Sequence, residues 1–62
     1  MEGKELLRLL DFAEDLRKKG DKFEEGVKEA IDESRIAYLK TTARAYKEIA
    51  GKLESLIREL NS

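Results

Sequence analysis

The stretch RIAYLKTTARAY, Arg35 to Tyr46, decides how many helices this chain forms. It has no Gly and no Pro, yet Ile36–Leu39 is an uninterrupted apolar run and Thr41–Thr42 breaks the charged pattern around it. Either it is the waist of one long helix or it holds a turn between two shorter ones. A turn has poor local support. With Thr41 or Thr42 as N-cap, the first helical turn would place Arg44 at the positive end of the helix dipole. No Gly or Asn closes a helix before it, and Asp32 and Ser34 lie too early to help. In favour of a turn is that it would divide the chain into three helices of nearly equal length, as in many compact bundles.

Helical projection gives a second test. Glu25, Glu29, Glu33, Lys40, Arg44, Lys47, Gly51, Glu54 and Arg58 fall within one arc of roughly 100°, with Ile36 interrupting it. The apolar side changes direction. Phe23, Val27, Ala30 and Ile31 centre about 80° away from Leu39, Ala43, Tyr46, Ala50, Leu53, Ile57 and Leu60. A segment apolar on all sides is buried on all sides, which a long helix achieves by packing first on a neighbour and then on another chain.

Upstream, DLRKKGDKFEE carries the clearest punctuation. Arg17, Lys18 and Lys19 suit a helix C-terminus, Gly20 suits the left-handed position after it, and Asp21 with Glu24 forms a capping-box variant. These signals predict a tight turn at Lys19–Asp21. The expected fold is all-α, a helical hairpin with a short first helix (about 3–19) and a long second helix (about 21–60), assembling into an oligomeric bundle. The alternative is a monomeric three-helix bundle with a turn near 40–42. Residues 1–62 make one domain.

Apolar residues of the first helix, Leu6 to Leu16, cover about 200° of arc, so it is expected to touch two or more helices. The expected second helix is near 60 Å long and the first near 25 Å, which leaves the second half of the chain uncovered. An apolar patch there exceeds what soluble monomers tolerate. A second copy related by a two-fold axis would bury it. The expected oligomer interface comprises Ile36, Leu39, Tyr46, Ile49, Leu53, Leu56, Ile57 and Leu60, with a dimer the simplest assembly.

Composition narrows the function. Sixty-two residues without Cys or His cannot use disulfides or the usual zinc and haem ligands, so packing or self-association must stabilise the fold. Thirteen basic and fourteen acidic residues leave a net charge of −1, too little to steer nucleic acid or an anionic membrane. No apolar run approaches the roughly 20 residues of a membrane span and no signal peptide is legible, so a soluble chain is expected, cytoplasmic if natural. No cofactor and no enzymatic activity are expected: a nucleophile–base pair with His is impossible, and Gly3, Gly20, Gly26 and Gly51 form no phosphate loop.

Glu25, Glu29, Asp32 and Glu33 have the spacing of metal-sharing carboxylates, but di-metal bundles add a Glu-x-x-His pair; a solvated face is expected. Arg35, Lys40, Arg44 and Lys47 with Tyr38 and Tyr46 could imitate a nucleic-acid stripe, yet both tyrosines read as core aromatics with rim hydroxyls. Gly26 and Gly51 lie inside helices, where each costs about 1 kcal/mol against Ala. With Ser34, Thr41, Thr42 and several alanines they leave the helix thin, which suits either solvent exposure or a close helix crossing.

Glu, Lys, Leu, Ala and Arg dominate, with no Gln, His, Cys, Trp or Pro. Thermophile proteins share part of this bias. KELLRLLDFAEDLRKKGD and YKEIAGKLESLIREL, with acid-before-base pairs such as Glu14–Lys18, resemble helices of de novo designed bundles. That resemblance implies a thermostable, self-assembling structural scaffold. A protein-binding helical module from a thermophile is the alternative.

Overall fold

Leu6, Leu9, Ala13, Leu16, Gly20, Phe23, Val27 and Ala30 are separated by alternating steps of three and four residues. So are Ile36, Leu39, Ala43, Tyr46, Ala50, Leu53, Ile57 and Leu60. This is the a/d spacing of a coiled-coil seam, and it organises the fold. The computed structural model describes residues 2–61 and contains two helices, α1 (Gly3–Glu29) and α2 (Glu33–Asn61), packed as an antiparallel hairpin. Every seam residue is buried or half-buried except Leu60. The result is a rod with Cα extents of 46 × 15 × 10 Å.

The seam is thin because much of it is small. Ala13, Gly20, Ala43 and Ala50 are buried beside Leu16, Leu39 and Ile57. At Gly20 the helices come closest: a Cβ there would lie 3.0 Å from Lys47 Cγ and 3.2 Å from the carbonyl oxygen of Ala43. Gly26 faces Leu39, where a Cβ would sit 3.4 Å from a methyl group. Gly51 meets open space. The close crossing therefore involves Gly20 and Gly26, and Gly51 takes no part in it.

The turn lies at Ala30–Asp32, and the expectation of one at Lys19–Asp21 is corrected. Ala30 is extended (φ −77°, ψ 138°), and its N–H still donates to the carbonyls of Gly26 and Val27. The Asp32 carbonyl accepts from the Ile36 N–H at 3.0 Å, opening α2. No glycine of the described chain has positive φ. Gly20 is helical and serves close approach, while Asp21 and Glu24 sit within α1 and grip Lys47 across the seam. Helix boundaries near 3–19 and 21–60 are thus replaced by arms of 27 and 29 residues. The alternative turn near 40–42 is absent too, since α2 runs unbroken through Thr41–Thr42.

Candidate interaction surface

The two edges of the seam differ in chemistry. Along one, heptad position e carries Arg17 and Glu24 of α1 and Lys40, Lys47 and Glu54 of α2, with the exposed Leu10 beyond them toward the open end. Arg17 forks onto Glu54: its Nε donates to Oε2 at 3.0 Å, and its Nη2 donates to Oε1. One heptad on, Lys47 Nζ lies 2.7 Å from Glu24 Oε1 and 3.2 Å from Asp21 Oδ1. The hydrogen bonds from Arg17 hold the Glu54 carboxyl below the ordinary carboxylate range, against an opposing partial desolvation. Hydrogen bonds to Glu24 and then Asp21 raise the Lys47 ammonium above its usual value. These pairs bridge the two helices in the antiparallel register and close that edge with polar groups.

Position g of both helices lies on the opposite edge, because the two helices are antiparallel and share position e on the first. That edge carries Phe12, Ile49 and Leu56 interspersed with Lys19, Arg35 and Thr42, and Tyr38 and Ala45 lie one position further round α2. Tyr38 is 61% exposed, Ile49 53% and Leu56 48%. Phe23 anchors the rings: it stacks on Tyr46 at a centroid distance of 5.5 Å and meets Tyr38 edge-on at 6.5 Å. Beside it an open apolar hollow of about 330 Å³ is lined by Lys19, Lys22, Phe23 and Leu39. Leu7, Leu10 and Leu60 are exposed toward the open end of the hairpin, and Ile31 is 95% exposed at the tip.

Among the residues expected at an oligomer interface, the structure separates two sets. Ile36, Leu39, Tyr46, Leu53, Ile57 and Leu60 occupy the seam toward α1, with Leu39 and Ile57 already buried within one chain. Ile49 and Leu56 stand on the apolar edge. The premise of a long uncovered second half is corrected, since α1 runs alongside nearly all of α2. Phe12, Leu7 and Leu10 were not among those residues; the 200° apolar arc of the first helix is the signal that points to them.

Of the cations that imitate a nucleic-acid stripe, Lys40, Arg44 and Lys47 line one side of α2 beside Glu24 and Glu48, and Arg35 lies apart from them. Lys47 is tied to α1, Tyr46 is stacked on Phe23, and Arg35, Lys40 and Arg44 are exposed. Glu25, Glu29, Asp32 and Glu33 are exposed, and among the described residues no group of three or more acids is placed to hold a metal ion. No helix of the described residues is long and apolar enough to cross a membrane. Comparison with known proteins finds no family model, no curated protein and no solved structure that matches the chain.

Proposed function

We propose that this chain is a non-enzymatic, self-assembling structural unit: a helical hairpin whose function is to pair with copies of itself as an oligomerisation scaffold. The observation that carries this reading is the division of its apolar side chains. Among the described residues six hydrophobic ones are buried in the hairpin and three of them are alanines, whereas eight large ones stay exposed. Small cores of this kind usually need oligomerisation or a covalent staple, and no cysteine or histidine exists to supply a staple. The resemblance of the helices to designed bundles fits a chain whose fold and assembly are its task.

Light scattering coupled to size-exclusion chromatography tests this directly. The expected result is a helical homo-oligomer at micromolar concentration. A well-folded particle near 7.1 kDa would overturn the reading. A weakly helical monomer that gains structure with a foreign protein would favour a binding module instead.

A further inference from the structure

The apolar edge of α2 has a sequence that matches its own reversal. Positions c and g alternate along it, starting at Arg35 and Tyr38 and ending at Leu56 and Glu59, with three- and four-residue steps throughout. All of them are exposed except Thr42, which is half-buried. This column points about 110° away from the a/d seam around the α2 axis. Helices at the corner of a four-helix bundle meet their two neighbours at roughly such an angle.

Suppose a second α2 is laid antiparallel on this column so that paired residue numbers sum to 94. Tyr38 then faces Leu56 of the copy, and Ala45 faces Ile49, a small residue against a large one. Thr42 faces Lys52, with a hydroxyl able to accept from the ammonium. At both ends Arg35 faces Glu59, whose carboxylate has capacity for more than one donor. The two-fold axis crosses the column at the height of residue 47, whose own side chain lies on the far edge. Sliding by one heptad spoils the match. In one direction Arg35 faces Lys52 twice; in the other Ile49 faces Lys52, an apolar side chain against a cation. Charge therefore selects one register, as it does between coiled-coil partners.

We propose that the occupant of this edge is a second copy of the chain, docked α2 against α2 in that antiparallel register, giving a two-fold dimer of hairpins. This rests on the self-assembly reading above and adds to it the face, the orientation and the register. The edge closed by Arg17–Glu54 and Lys47–Glu24 stays outside the interface.

Complementary charge reversal tests it. Arg35→Glu alone sets carboxylate against carboxylate at both ends of the dimer, and Glu59→Arg alone sets guanidinium against guanidinium. Each single variant is expected to weaken dimerisation by roughly tenfold or more, since exposed pairs are individually small and two are inverted. An equimolar mixture of the two variants restores attraction at both ends and should form a heterodimer with near wild-type affinity. Analytical ultracentrifugation reads the affinities, and circular dichroism checks that each variant keeps its helix content. If wild-type protein is a monomer, both this proposal and the self-assembly reading fall. If wild-type protein dimerises but mixing restores nothing, or its mass is not that of two chains, the register proposed here falls and self-assembly stands.

Discussion

Gly20 shows how one residue type can be read for the wrong physical reason. Basic residues before it and Asp after it match a helix terminus, but the same glycine also satisfies a helix crossing where a Cβ has no room. The two uses are separated by what stands opposite, and that is a non-local fact. The paired substitutions Gly20→Ala and Gly51→Ala isolate it. Both gain helix propensity of up to about 1 kcal/mol, but at Gly20 the new methyl meets Lys47 Cγ and a backbone oxygen, neither of them the free end of a flexible chain. Gly51→Ala is expected to raise the melting midpoint by several degrees, and Gly20→Ala to lower it. A rise for both would show that the close approach relaxes freely. Glu54 offers a second test at this scale. Its folded pKa is depressed by Arg17, so its stabilising contribution is present above the unfolded value of about 4.3 and is lost as pH falls through the folded value. Glu54→Gln should therefore be less stable than wild type at pH 7, with the gap narrowing on acidification to about pH 3. Thermal melts at the two pH values measure this, and an unchanged gap would remove Arg17–Glu54 from the account.

At the scale of the element, helix existence and hairpin architecture were legible from periodicity, and turn position was not. The informative signal was the phase of the apolar residues. Each arm keeps its steps of three and four, but Ala30 to Ile36 is a step of six, and there the apolar face changes direction. Read as a helix that packs on two partners, this shift suggested a long second arm. Its simpler cause is that the chain stops being helical at Ala30–Asp32. That turn has no Gly or Pro to mark it, because Ala30 is merely extended and needs no left-handed backbone. The exposed Ile31 disguised it further, extending an apolar pattern it does not belong to. An insertion pair checks the placement. One Gly inserted after Ile31 lengthens a solvent-exposed loop and should cost well under 1 kcal/mol. One Ala inserted after Gly20 rotates part of α1 by about 100° relative to the rest, taking Phe23 and Val27 off the seam, and should abolish cooperative unfolding. Equal tolerance of both insertions would contradict an unbroken α1. Asp21→Ala belongs to the same comparison: Asp21 is the more distant of two carboxylates on Lys47 rather than a cap, so its loss should be worth only a few tenths of a kcal/mol.

At the scale of the whole molecule, two interfaces of different character are superposed on α2, and they should fail differently. The seam toward α1 is intramolecular, so its loss does not depend on concentration. Ile57 is 4% exposed within it, and Ile57→Glu places a carboxylate in the packed interior without a partner. That variant should lose helicity at every concentration, because burying an unpaired charge costs several kcal/mol, a large share of what so small a chain has. The outer column is intermolecular, so its contribution follows mass action. Ile49→Glu leaves the seam intact and removes the large residue expected beside Ala45 of the second copy. Its melting midpoint should be lower than wild type and nearly independent of concentration, whereas the wild-type midpoint should rise with each tenfold increase in protein. The contrast matters because either result alone has a trivial cause: a generally damaged fold for Ile57→Glu, altered surface charge for Ile49→Glu. Circular dichroism melts from about 1 to 100 μM, spanning affinities common for modest interfaces, would separate them. A wild-type midpoint that does not move over this range, with Ile49→Glu melting at the same temperature, would mean that the hairpin is sufficient by itself and that the eight apolar side chains exposed among its described residues serve something other than a second copy.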